Sequence, residues 1–319
     1  MKIFYSSPWV PAEWIKAHGF EPHGIWSAAA DPTITKPEGV CAFAQQFPAF
    51  LKTFPHTALI LTTACDQMRR AADIADRSQA RVFLFNLPAT WQTPSVQQLY
   101  LSEIERLGRF LVKLGGRAPP PEELETVMLE WDRRRQTLRD LLPRVRPRQA
   151  AELLMKFFDD GTVPALLPPT PSRGVPLALI GGPILQSQLD LLDRLESVGG
   201  GVVLNATEPG ERCLLPPLPP RLPGQRPIVV LANHYFAHSI DVFHRPNSRL
   251  YNWLATRLDE RHVRGIILSA HVGCDLWRAE AASLREAFGL PVLLLDEHEI
   301  RNVGPRDLTR LGAFVESLR

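Results

Sequence analysis

The strongest constraint on this chain is a pattern that occurs twice. One segment reads ALILTTAC-DQMRRAADIAD and, after a short gap, RVFLFNLP. Another reads GIILSAHVGC-DLWRAEAASLREAFG and then LPVLLLDE. Each is a short unbroken apolar run, a short loop, Cys-Asp, a stretch with helical spacing, and a second apolar run. Apolar runs of this length without polar alternation are strands covered on both faces, and strands alternating with helices form parallel sheets. The repetition predicts two α/β halves of one plan, with Cys65 and Cys274 in equivalent places.

The remaining segments fit around these units. Lys2–Ser6 reads as a first strand and Pro11–His18 as a helix opened by proline, whose missing N–H costs nothing there. Pro32, Pro37 and Gly39 mark a loop. From Pro94 to about Asp159 the apolar residues keep three-to-four spacing, broken at Gly115-Gly116 and Pro119–Pro121. The proline-rich stretch Thr162–Pro176 marks a boundary. Beyond it Leu177–Gly181 and Val202–Asn205 read as strands, Leu185–Val198 as a helix stopped by Gly199–Gly201, and Pro209–Pro227 as loop. Arg249–Arg261 reads as a helix and Asp307–Leu318 as a last amphipathic one. The expected organisation is an N-terminal α/β domain over 1–117 with Cys41 and Cys65, a helical connector over 118–172, and a C-terminal α/β domain over 173–319 with Cys274.

Composition narrows the function classes. The 319 residues are 45% hydrophobic and 22% charged, with a net charge of +2. Such a balance builds ordinary cores and offers no strong field for nucleic acid or an anionic membrane. The densest basic run, Arg133-Arg134-Arg135, follows Glu122, Glu123, Glu125 and Glu130 and reads as a solvated helix face. Met1-Lys2 leads into Ile3-Phe4-Tyr5 and then the turn-forming Ser6-Ser7-Pro8, too short an apolar run for a signal-peptide core. The cytoplasm is the expected location. There four cysteines are free thiols, metal ligands or nucleophiles rather than a disulfide framework.

Position favours the metal. In open α/β sheets ligands gather beyond the carboxyl ends of the strands, where Cys65 and Cys274 are expected. A cysteine just before a helix also meets free N–H groups and the positive end of the helix dipole, which favours thiolate. Asp66 and Asp275 read as helix caps. Cys41, after Glu38-Gly39-Val40, is the third member of the set. Zinc sites show close pairs such as C-x₂-C, and there are none here. Three thiolates on a cubane leave one iron without a protein sulfur, free to take water or a substrate oxygen. Against this, buried cysteine is common as a small hydrophobe, and Cys213, in a proline-rich loop, reads as an ordinary thiol. There is no G-x-x-x-x-G-K-[ST] loop, no G-x-G-x-x-G after a strand and no G-x-S-x-G elbow, so ATP hydrolysis, dinucleotide binding and serine hydrolysis are not expected.

The motifs, in order, resemble the 2-hydroxyacyl-CoA dehydratase (component D) and benzoyl-CoA reductase subunit family. FYSSPWVPAEWIKAHGFEP is similar to its first strand and helix, GVCAF and TTACDQM to its first two cysteine motifs, and VGCDLW with GLPVLLLDEHE and TRLGAFVESL to the third and the closing helix. ALIGGP, GGGVVLNATEPGER and the stretch Arg245–Arg249 follow in the same order. The resemblance covers nearly the whole chain. It implies two flavodoxin-like (Rossmann-like) domains, and one [4Fe–4S] cluster held by Cys41, Cys65 and Cys274 with one open iron. It also implies a related second subunit, in a heterodimer or homodimer, a separate ATP-dependent activator that donates the electron, and an acyl-CoA substrate. The implied reaction is one-electron reduction of a 2-hydroxyacyl-CoA thioester and loss of water. The alternatives are ring reduction as a benzoyl-CoA reductase subunit, or a non-catalytic iron–sulfur redox or accessory subunit. Ser6 and Ser7 fall where a family hydroxyl contacts substrate, and a turn role suits them equally. His271, three residues before Cys274, is a further candidate near the cluster. His234, His238 and His244 lack a metal-site pattern and read as surface or core residues. Glu297 and Glu299 follow a strand and read first as solvated carboxylates. Many members carry Glu-x-Asp there, whereas this chain has Asp296-Glu297-His298-Glu299.

Overall fold

A computed structural model describes residues 1–27, 39–54, 57–76, 81–164, 168, 170, 173–297 and 304–319. The first lobe begins with β1 (Lys2–Tyr5), α1 (Ala12–Ala17), β2 (Glu21–Gly24) and α2 (Gln46–Thr53). It continues through β3 (Ala58–Thr62), α3 (Asp66–Asp76) and β4 (Arg81–Phe85). Three helices follow: α4 (Pro94–Lys113), α5 (Pro121–Leu141) and α6 (Pro147–Asp160). The second lobe comprises β5 (Val175–Pro183), α7 (Asp190–Ser197), β6 (Gly200–Glu208), α8 (Pro227–His238) and α9 (Ser248–Glu260). It closes with β7 (Gly265–His271), α10 (Asp275–Phe288), β8 (Val292–Glu297) and α11 (Pro305–Ser317).

Each lobe has one all-parallel sheet of four strands, ordered β2-β1-β3-β4 and β6-β5-β7-β8. The two orders are the same, so the repeat read in the sequence is a repeat in space: β3 and β7 occupy the same place, each followed by Cys-Asp and a helix. This is the doubly wound, flavodoxin-like arrangement. The strand order reverses between β1 and β3 in one sheet and between β5 and β7 in the other.

The period-two alternation of strand side chains explains how the lobes join. Ile3, Tyr5, Ala58 and Ile60 from the first sheet, with Leu177, Leu179 and Ile267 from the second, enter one continuous core. The intervening residues face outward into separate clusters. Phe4, Leu59 and Leu61 pack there with Phe47 and Ala71, and Ala178, Ile180, Ile266 and Leu268 with Leu254 and Trp277. The shared core also takes buried apolar residues of the central helices, Ile104, Leu107, Leu138, Leu154 and Phe157 among them. Helix α6 touches β2 and β6, an edge strand of each sheet, while α5 touches α1 and α8.

Several expectations change on contact with the structure. Arg135 is not on a solvated face. Its side chain is 3% exposed and pairs with Glu13, 1% exposed, because α5 is covered on that side by α1 and α8. Tyr235 of α8 donates to Glu13 Oε2 at 2.5 Å, and Arg135 Nη2 donates to the Tyr235 hydroxyl at 3.2 Å. The glycines after α7 divide their roles: Gly199, with φ of +86°, ends the turn, and Gly200 already begins β6. Elements β2, α2 and α8 were not expected. Among the described residues no helix is long and apolar enough to cross a membrane.

Candidate metal centre

The reversal points of the two sheets face a common cleft, with a space of about 70 Å³. Ser6 and Ser7 follow β1, and Thr62, Ala64, Cys65 and Met68 lie at the end of β3 and the start of α3. Opposite them stand Pro183 of β5, Glu208 of β6, and His271, Cys274 and Trp277 from β7 into α10. The loop before α2 adds Cys41 and Phe43, and the loop after α8 adds Asp241 to Phe243. The three cysteines of the motifs, far apart along the chain, therefore line one cavity.

Local structure presents each sulfur to it. The Cys41 backbone N–H donates to Gln67 Oε1 at 2.8 Å, which ties the first cysteine loop to the start of α3. Cys65 immediately precedes that helix, and its carbonyl accepts from Arg69 N–H at 3.2 Å. Cys274 is the N-cap residue of α10, its N–H donating to His271 O at 2.9 Å. Asp275 is thus the first helical residue and not the cap, and no side chain caps this helix. Gly273 turns the loop with φ of +84°, and a Cβ there would lie 3.7 Å from Cys41 Cβ, so the loops of the two lobes are in contact.

Electrostatics decides the protonation state of the bare thiols. Burial pushes Cys41 up, Cys65 up to about 11 and Cys274 up to about 12. Backbone N–H groups oppose this: those of Met68 and Gln67 at Cys65, of Trp277 at Cys274, and of Ala44 and Phe43 at Cys41. The helix-start position was expected to favour thiolate. Desolvation outweighs it, because the N–H groups are dipoles and the cavity withholds water from a full charge. Neutral thiols are poor nucleophiles. A cationic metal would deprotonate them, and the same inward N–H groups would then stabilise the thiolates. Among the described residues no three His, Cys, Asp or Glu groups stand close enough to share a single metal ion. A polynuclear cluster spreads its ligands more widely.

The other sequence candidates separate clearly. Ser6 is 2% exposed and its Oγ has no hydrogen-bond partner among the described residues, whereas Ser7 Oγ accepts from Trp9 N–H at 3.4 Å in the turn after β1. His271 is held by Pro183 O, 2.9 Å from Nε2. A carbonyl only accepts, so Nε2 carries the proton and Nδ1 is bare; it has no partner among the described residues. Burial lowers the His271 pKa and keeps the ring neutral. His234, His238 and His244 do not line the cavity; they bond Pro216 O, His234 O and Ser239 Oγ respectively. Cys213 is also outside it, 2% exposed, its Sγ donating to Thr207 O at 3.7 Å. Glu297 ends β8, and Glu299 lies outside the described residues.

Three residues escaped the sequence reading: Glu208 and Asp241 line the cavity, and Arg212 is bonded to Asp241. Arg212, fully buried, lies 5.1 Å over the Trp277 ring and donates from Nη1 to Asp241 Oδ2 at 2.6 Å and Ile240 O at 2.8 Å. Its Nε donates to Ala206 O at 2.9 Å and its Nη2 to Gly181 O at 3.3 Å. Asp241 accepts further from Trp9 Nε1 at 3.2 Å and Val242 N–H at 2.6 Å. Glu208 stands beside this pair with Arg212 Nη2 3.9 Å away, and burial, then the Asp241 charge, pushes its carboxyl up to about 8. A signal for Glu208 was available: it closes an apolar run, GGGVVLNATE, at the carboxyl end of a strand.

Two parallel-sheet lobes whose reversal points share a cysteine-lined cleft define an α/β protein of two flavodoxin-like halves. Residues 9–318, nearly the whole chain, match the family "2-hydroxyglutaryl-CoA dehydratase, D-component", and the chain belongs to that family. The family is that of a dehydratase component, which implies a partner subunit. No curated protein matches the chain. Among solved structures it is similar to the SBP FpvC from Pseudomonas aeruginosa in complex with Mn²⁺, at 13% identity over 100% of this chain and 98% of that one, with a TM-score of 0.26. An FpvC mutant from the same organism is similar at 12% identity over 100% and 99%, with a TM-score of 0.24. Neither likeness bears on function.

Proposed function

We propose that this chain carries one [4Fe–4S] cluster on Cys41, Cys65 and Cys274 and acts, with a partner subunit, on a 2-hydroxyacyl-CoA thioester, reducing it by one electron with loss of water. The observation that carries the reading is the meeting of three cysteines from two lobes at one cavity. When bound, the cluster would supply a low-potential electron and a Lewis-acidic iron corner. The chain's own residues supply the surroundings. Phe43, Met68, Val242, Phe243, Leu276 and Trp277 line the cavity with apolar surface and exclude water. Ser6 Oγ and His271 Nδ1 offer hydrogen-bonding capacity at its wall, the first to a thioester oxygen, the second to a hydroxyl proton. The Arg212–Asp241 pair pins the loop after α8 to the ends of β5 and β6, setting the cavity's shape. The electron would come from the separate ATP-hydrolysing activator that the family resemblance implies; this chain has no phosphate-binding loop motif of its own.

Anaerobic reconstitution with iron and sulfide tests this directly. About four irons per chain and a brown protein are expected. A colourless, iron-free chain would end the cluster reading. Dehydration of (R)-2-hydroxyacyl-CoA thioesters by the loaded complex with its activator tests the reaction separately.

A further inference from the structure

We infer that the Glu208 carboxylate is a fourth protein ligand, binding through oxygen the iron that Cys41, Cys65 and Cys274 leave without a sulfur; this rests on the cluster proposed above. Glu208 lines the same cavity as the three thiols, its side chain only 12% exposed. Among the described residues its carboxylate accepts no hydrogen bond. A largely buried carboxylate that accepts no hydrogen bond is costly even beside a cation, and its oxygens are left open to a further ligand. Arg212 supplies nearby positive charge but no hydrogen bond. It stands 3.9 Å away, and its Nε, Nη1 and Nη2 already donate to Ala206 O, Asp241 with Ile240 O, and Gly181 O.

Asp241 is the contrasting case. It lines the same wall but is saturated by Trp9, Arg212 and Val242 N–H. Of the two carboxylates, Glu208 alone is left to face the cavity with uncommitted oxygens. Iron accepts carboxylate oxygen readily, and an iron corner would give these oxygens the direct bond that Arg212 does not. As the iron–oxygen bond forms, the carboxyl proton passes to solvent and no electron moves. The bond is reversible, so a substrate oxygen that takes the iron must first displace Glu208. The corner is then closed at rest and opened by substrate.

The test compares the anaerobically reconstituted full chain with its Glu208→Gln and Glu208→Cys variants, each checked for fold by its melting curve. Mössbauer spectra of iron-enriched wild-type protein should show one oxygen-ligated iron beside three sulfur-ligated ones. Glu208→Cys should replace that signature with four sulfur-ligated irons. Ferricyanide removes one electron from the cluster, after which an unanchored iron leaves as the ferrous ion and the three-iron product is seen by EPR. Glu208→Gln should form this product at least about ten-fold faster than wild type, in line with ligand-shell losses elsewhere. An unchanged Mössbauer spectrum in Glu208→Cys, or equal conversion rates in Glu208→Gln and wild type, would overturn the ligand assignment and leave the cluster intact. A wild-type chain that takes up no iron would overturn both.

Discussion

Serine at position 41, 65 or 274 keeps the size of the side chain and removes its softness towards iron. Each single Cys→Ser change should therefore cut bound iron to less than about half while leaving the fold intact, because soft thiolates are what iron–sulfur clusters require. Cys213→Ser is the control: its sulfur meets Thr207 O, away from the cavity, so iron content should not change. A second prediction concerns His244, which burial holds at about 4 although Asp241 pulls it up. The unfolded chain takes up this proton near pH 6.5 and the folded chain does not. Stability is thus complete above that pH and is lost as pH falls towards 4. Over that window His244 should cost on the order of 3 kcal/mol, read from urea midpoints, and His244→Gln should flatten the decline. At this scale Cys65 and Cys274 were legible in the sequence, since Cys-Asp recurs at matched strand ends. Arg212 and Asp241 were not, because neither carries a local pattern and their meaning lies in each other.

The elements follow the same division. Strands β3, β7 and β8 announce themselves as apolar runs, and α4, α10 and α11 as amphipathic spacing. Strand β2 reads EPHG, a proline and a glycine in four residues, tolerated only because it is an edge strand. Helix α8 reads PIVVLANHYFAH and buries residues around most of its circumference against α4 and α5, so it shows no polar face by which to recognise it. Helix α2 is eight residues long with an internal proline. Gly181 gives a test at this scale. A Cβ there would stand 1.9 Å from Ser269 O across the β5–β7 ladder, and φ is +152°. Gly181→Ala should destabilise the second lobe by about 3 kcal/mol, from overpacking against backbone that cannot yield. A urea midpoint equal to wild type would show that the ladder gives way at little cost.

On the scale of the molecule, the lobes are held by one shared core and by a buried ion pair within it. Glu13 of α1, Arg135 of α5 and Tyr235 of α8 join three segments otherwise distant in the chain. Removing one charge strands the other in the core, so Glu13→Leu should cost about 3–5 kcal/mol. Glu13→Leu with Arg135→Met should recover most of that loss, since a buried pair replaced by apolar groups is often neutral. A double variant no more stable than the single would show that the pair itself, and not the stranded charge, sets the cost. The cysteine cavity depends on this packing, because Cys41 and Cys65 come from one lobe and Cys274 from the other.

Local sequence by itself determined two repeated strand–Cys-Asp–helix units, parallel sheets and the places of Cys65 and Cys274. Buried runs and helical spacing are written within windows of about ten residues. Only the tertiary structure decided that Cys41 joins them, that Arg135 is buried, and that Glu208 and Asp241 stand at the same wall with Arg212 bonded to Asp241. Those facts are contacts between segments far apart in the chain. They exist because the two sheets pack across one core with their reversal points facing, and no short window of sequence carries that information.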